Sequence, residues 1–142
     1  MKPIKYETAL LLREKMLSHN FSIYGDYAYC LNDNLLVRYI QNNTFAAVDE
    51  NIFYEDNDKN YFMPAPFQEE VIEWLWDEHK IHIQLEIHTK NDNTCYLEVL
   101  IITFKDGDGG LGFYSTKEYP LSSRYEAIEE GIVEALKLIK NK

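Results

Sequence analysis

Residues 81–89 (Ile-His-Ile-Gln-Leu-Glu-Ile-His-Thr) alternate apolar and polar side chains with a single exception at the end. A period of two belongs to a strand and is incompatible with a helix. Ile81, Ile83, Leu85 and Ile87 therefore point one way, and His82, Gln84, Glu86 and His88 point the other. One face must be covered and the other can meet water, as in an antiparallel sheet. Lys90-Asn91-Asp92-Asn93 then turns the chain, and Cys95 to Phe104 returns with both faces largely apolar, as an interior strand would. A hairpin of this kind is not stable unaided, so other segments have to supply its cover.

Three segments have helical texture. Residues 7–19 contain no breaker, place Ala9, Leu12, Met16 and Leu17 on one side, and meet a stop at Asn20. Pro64-Ala65-Pro66 precedes the second, with Pro66 expected at the first helical position, where its missing N–H costs nothing. On its wheel Phe67, Val71, Trp74 and Leu75 form an apolar face opposite Glu69, Glu70, Glu73 and Asp77. The third follows Ser123-Arg-Tyr-Glu126, which fits a capping box. Its expected buried face is Ile128, Ile132, Ala135, Leu136 and Ile139, with a small-residue stripe at Ala127, Gly131 and Ala135 that would let it lie close to a sheet.

The remaining texture is β-prone. Tyr27–Leu31, Leu35–Ile40 and Thr44–Val48 are separated by Asn/Asp clusters and read as a meander of hairpins. Residues 49–63 are polar, acidic and aromatic and read as a loop or irregular strand, and Leu111–Ser115 as a short strand after an Asp/Gly turn at 106–110. The order is α-β-β-β-α-β-β-β-α. It predicts an α+β fold with one antiparallel sheet of five or six strands and helices on one face. Residues 1–142 are enough for one domain with a single core, and Pro64 is where it would divide into halves.

Charge narrows the function classes. The net charge is -10, with 24 acids against 14 bases, of which three are arginines. Such a chain does not neutralise phosphates, so direct nucleic-acid binding is not expected, nor is attraction to an anionic membrane surface. The charge is concentrated: residues 49–78 hold ten acids and Lys59 as the one base, while the rest of the chain is close to neutral. No run approaches the roughly 20 apolar residues of a membrane span, and Met1 to Glu7 lacks the apolar core of a secretory signal. The expected compartment is the cytoplasm, with Cys30 and Cys95 buried, reduced and inert.

Chemistry-bearing patterns are sparse. His82 and His88 share a strand face but lie about 20 Å apart, too far for one zinc; Glu86 and His88 would need a third ligand. Asp106-Gly-Asp108-Gly-Gly lacks the glycine and glutamate that a calcium loop requires at its sixth and twelfth positions. Asp56-Asn-Asp58 fails likewise, and Gly107–Gly112 has neither dinucleotide-loop spacing nor the Walker lysine. No nucleophile elbow is present, so no catalytic residue, cofactor or metal is assigned, and the chain is not expected to be an enzyme. The feature that stands out is Trp76, at the edge of the acidic stripe: a large aromatic beside charge suits an interface anchor. Glu69, Glu70, Glu73, Trp76 and Asp77 are the candidate interface. The competing reading packs Trp76 beneath residues 49–63, which carry Phe53, Tyr54, Tyr61 and Phe62.

Two resemblances bear on this. The helix, three strands and helix of residues 66–140 resemble the double-stranded RNA-binding domain in order. The lysine-rich start of that family's last helix has no counterpart, because Ser122–Glu126 carries one arginine, so the resemblance implies topology without RNA binding. Pro64-Ala-Pro-Phe-Gln68, Trp74-Leu75, the hairpin, and Tyr125, Ala127, Gly131-Ile132 and Ala135-Leu136 resemble small uncharacterised proteins of bacteriophages and mobile elements of gut anaerobes. That resemblance covers about half of the chain and carries over no functional residue; beside it, the acidic and aromatic window gives the expectation of a small accessory protein acting by protein–protein contact through residues 49–78, its partner and oligomeric state undefined. The alternative is an acidic nucleic-acid mimic that occupies a basic groove of a host DNA-handling protein. A small hydrolase or metal enzyme is the least favoured reading.

Overall fold

The computed structural model describes residues 2–15, 21–57, 59–104, 109–115 and 117–140. The chain is α+β, with two antiparallel sheets of five and three strands and three helices among the described residues. It divides between Phe67 and Gln68 into two compact units.

In the first unit, helix α1 spans Tyr6–Lys15 and buries Ala9 and Leu12, as its periodicity requires. Met16, Leu17 and the stop at Asn20 lie outside the described residues. Strands β1 (Ala28–Cys30), β2 (Leu35–Gln41), β3 (Thr44–Ala47), β4 (Phe53–Glu55) and β5 (Phe62–Pro64) form one sheet in the order β4-β3-β2-β1-β5. The turns explain the meander. Asn42 and Asn43 both have positive φ, 51° and 60°, the geometry of a two-residue hairpin loop that asparagine tolerates. Asn34, at φ 60°, does the same before β2.

One core cluster of this unit covers a sheet face, Ala28, Cys30, Val37, Phe45, Ala47 and Tyr54, with Ile23, Leu35, Tyr39 and Phe62 packed against it. Phe45 stacks on Phe62 with centroids 4.1 Å apart. On the other face Tyr29 donates to the Ile4 carbonyl at 2.7 Å, which ties the N-terminal segment down.

Residues 49–63 contain more structure than their composition suggests. β4 pairs with β3, and β5 crosses back to pair with β1 through Cys30↔Phe62, Tyr29↔Met63 and Ala28↔Pro64. That closure is what turns the expected single sheet of five or six strands into two. β5 occupies the outer edge of β1, and the sheet is completed within residues 28–64.

In the second unit, α2 (Gln68–His79) buries Gln68, Val71, Trp74 and Leu75. It starts two residues later than Pro66 predicts, because Phe67 is held in an isolated antiparallel bridge with Pro3. β6 (Ile81–Thr89), β7 (Cys95–Thr103) and β8 (Leu111–Tyr114) form the second sheet, in that order. β6 and β7 pair without interruption from Ile81↔Thr103 to Thr89↔Cys95. The expected turn at 106–108 lies outside the described residues.

Helix α3 (Arg124–Lys137) packs on β6 and β7. A Cβ at Gly131 would come within 2.8 Å of Val99 Cγ1 and 2.9 Å of Ile83 Cγ2, so the small-residue stripe does let α3 lie close to the sheet.

Three expectations for α3 and the hairpin need correction. Ser123 is the N-cap but makes no side-chain capping bond, since its backbone (φ -104°, ψ 37°) is not the extended geometry a capping box uses. Ile128 is only half-buried, and Glu129, 4% exposed, takes an inner position because Gln68 Nε2 donates to it at 2.9 Å. Ile87, expected to face the core, is 68% exposed; it lies on the helix-facing side but near the end of the strand, where it is left uncovered.

Candidate functional site

The five residues of the candidate interface lie on α2, and all five are exposed. The helix shows why. Its apolar stripe at Val71, Trp74 and Leu75 turns inward, leaving Glu69, Glu70, Glu73 and Asp77 outward, with Glu69 and Glu70 in the first turn where the helix dipole favours carboxylates. α2 ends on Lys80, at φ 52°, whose N–H bonds back to the Trp76 carbonyl at 3.1 Å. This left-handed cap reverses the chain into β6 and brings the last helical turn against the start of the strand.

Trp76 is placed by that reversal. It is 42% exposed. Its ring meets Phe104 edge to face at 5.6 Å and His82 at 6.4 Å, while Lys80 Nζ sits 5.0 Å from the ring centroid. Phe104 is itself 36% exposed. The loop side of this patch is closely fitted, since a Cβ at Gly110 would lie 2.5 Å from Ile102 Cγ2 and 2.8 Å from Phe104 Cε1. Trp76 thus sits in a half-open aromatic group of its own unit, flanked by Glu73 and Asp77 on the helix.

The acidic window is split by the division of the chain. Asp49, Glu50, Glu55 and Asp56 belong to the first unit, Glu69, Glu70, Glu73, Asp77 and Glu78 to the second, and Asp58 lies outside the described residues. In the first unit part of the acidity is structural. Asp56 accepts a hydrogen bond from Tyr24 Oη, and Asp33, outside the window, accepts one from Tyr54 Oη at 2.6 Å. That bond, with burial, pushes the Tyr54 phenol up to about 12. Asn60 Nδ2 donates to the Glu55 carbonyl and Asn32 Nδ2 to the Lys59 carbonyl, pinning the segment between β4 and β5. The same unit has a cavity of about 200 Å³ lined by Tyr27, Arg38, Ile40, Ala46, Ala47 and Val48.

The wet face of the second sheet holds a further cluster that strand periodicity hints at and cross-strand pairing completes. His88 Nε2 lies 3.4 Å from Glu98 Oε1 and 3.6 Å from Glu86 Oε2. Its ring stacks on Tyr96 at 5.5 Å, and Tyr114 Oη lies 3.1 Å from both Glu86 oxygens. Glu98 was not a suspect in the sequence because it lies on the partner strand, directly opposite Glu86. Among the described residues no group of three or more His, Cys, Asp and Glu side chains is arranged to hold a metal ion. Cys30 is buried as expected, but Cys95 is exposed, as it opens the mouth of the β6–β7 hairpin beside Thr89 Oγ1 at 3.5 Å.

Among the described residues no helix is long and apolar enough to cross a membrane. Comparison with protein-family models, with curated proteins and with solved structures finds no match to this chain.

Proposed function

We propose that the chain acts by binding another protein through the outer face of α2, with Trp76 as the anchor and Glu69, Glu70, Glu73 and Asp77 as the charged surround. The observation that carries this reading is the half-exposed Trp76 ring, held edge-on by Phe104 and His82 beside carboxylates. A large aromatic kept rigid and partly in water is the residue type that concentrates binding energy at interfaces. The carboxylates favour a partner with lysine or arginine at the matching rim, and they set approach rate and selectivity more than affinity. A small cytoplasmic accessory role in a phage or mobile element accords with the resemblance of residues 64–140 to proteins of that kind.

A nucleic-acid mimic would use the same carboxylates differently. Glu69, Glu73 and Asp77 recur every fourth residue, so the stripe runs for about 12 Å at 1.5 Å per residue. A groove that grips roughly six to ten phosphates needs a longer track, which favours the protein-binding reading.

The test is affinity capture with the intact chain and with matched Trp76→Ala and Glu73→Lys/Asp77→Lys variants. A partner held through α2 is retained by the native chain, loses at least about tenfold in affinity with Trp76→Ala, and weakens with added salt. A partner retained equally by all three proteins would show that α2 is not the contact.

A further inference from the structure

We propose that the free edge of β6 pairs with β6 of a second copy of this chain, joining the two three-stranded sheets into one six-stranded sheet across a two-fold axis at Leu85. Protein edges are ordinarily blunted by short strands, prolines, lysines or bulges. β4 and β8, edge strands of three and four residues, obey that rule. β6 does not. It runs nine residues, contains no proline or lysine, and keeps an unbroken register with β7.

The phase of its backbone is fixed. Phe104 N–H donates to the Lys80 carbonyl and Lys90 N–H to the Thr94 carbonyl, and both pairs continue the β6–β7 register. Even-numbered residues therefore exchange their hydrogen bonds with β7. The N–H and C=O groups of Ile81, Ile83, Leu85, Ile87 and Thr89 point to the open edge. Among the described residues no strand pairs with this edge, and two of its five residues, Ile87 (68%) and Thr89, are exposed.

The sequence of β6 is self-complementary in one register. With Leu85 on the axis, all nine residues pair: Ile81 faces Thr89 of the other copy, Ile83 faces Ile87, Gln84 faces Glu86, and His82 faces His88. The open-edge groups meet as hydrogen-bonded pairs, the exposed Ile87 gains an isoleucine neighbour, and the Gln84 amide can donate to the facing carboxylate. Shifting the axis to Glu86 would put two carboxylates face to face. Shifting it to Gln84 leaves His88 and Thr89 without partners, since Lys80, at φ 52°, lies outside the strand. The occupant is thus a second copy rather than an arbitrary strand. This pairing uses none of the α2 residues, so it stands or falls independently of the protein-binding reading.

The experiment is sedimentation equilibrium of the full chain across the micromolar range, together with disulfide trapping in a Cys95→Ser background. The expected species is a dimer whose dissociation constant rises more than about tenfold in Ile87→Lys, with circular dichroism confirming that the variant stays folded. Leu85→Cys should cross-link on mild oxidation, since facing Cα atoms in such a pair lie about 5.5 Å apart. His82→Cys should not, since its two copies would be about 20 Å apart. A monomer at every concentration overturns the proposal, as does a dimer that survives Ile87→Lys or fails to cross-link at position 85.

Discussion

At the scale of single residues, the buried and half-buried polar groups decide more than the sequence reveals. Tyr54 is 9% exposed and ends on the Asp33 carboxylate, a contact between a strand and a turn 21 residues earlier. Its phenol is held at about 12, chiefly by that bond, then by burial and the Asp33 charge. Its value in the unfolded chain is about 10. The protonated phenol is therefore favoured in the folded state. The contribution is fully present below pH 10 and is lost as pH rises through about 12. Tyr54→Phe should lower stability at neutral pH by about 1 kcal/mol and flatten the alkaline fall between those limits. Urea denaturation at a series of alkaline pH values checks both, and an unchanged slope would mean that the bond does not persist in solution. Glu129 teaches a related lesson. A helix wheel ranks glutamate outward, and the facing Gln68, 61 residues away in sequence, helps to make an inner position tolerable.

At the scale of elements, periodicity made part of the fold legible. β6, β7 and the seat of α3 follow from spacing of two and from the stripe of small residues. β4 and β5 did not, because three residues are too few to show a period and their register is set by partners at Thr44–Ala46 and Ala28–Cys30. The exposure of Trp76 was half legible: the α2 wheel sets it at the edge of the acidic stripe, but an aromatic of its size could equally pack beneath residues 49–63, and only the structure decides. The Glu98 partner of His88 was not legible, since cross-strand neighbours depend on register. The seat of α3 gives an element-scale prediction. Alanine would gain about 1 kcal/mol over glycine in an unconstrained helix. At position 131 the added methyl meets Val99 and Ile83, both β-branched and stiff. Gly131→Ala should therefore be net destabilising, by roughly 1 kcal/mol once overpacking of about 1–3 kcal/mol is set against the propensity gain. A raised urea midpoint would show that α3 sits farther from the sheet than the structure places it.

At the scale of the whole molecule, the charge of -10 belongs mainly to one stretch of chain, but that stretch serves two compact units in different ways. In the first, Asp56 accepts a tyrosine hydroxyl, as Asp33 does outside the stretch, and helps hold the meander. In the second, the carboxylates of α2 face water around Trp76. The surface available to a partner is therefore narrower than the acidic segment as a whole. In the proposed protein-binding reading it comprises the outer face of α2 in that unit, and the proposed pairing of β6 uses a different surface.

The way β5 closes the first sheet also sets an order of assembly. Each hairpin from β1 to β4 joins near neighbours, with Asn34, Asn42 and Asn43 already suited to the turns, whereas β1 and β5 meet only after the chain has looped from Cys30 to Phe62. Local closures come at little entropic cost and long ones come late. In stopped-flow refolding, Val37→Ala, in the meander, should slow folding, giving a φ-value above about 0.5, and Met63→Ala, in β5, should chiefly speed unfolding, with a value below about 0.3. Until that last strand arrives, β1 offers newly made chains an open edge of its own.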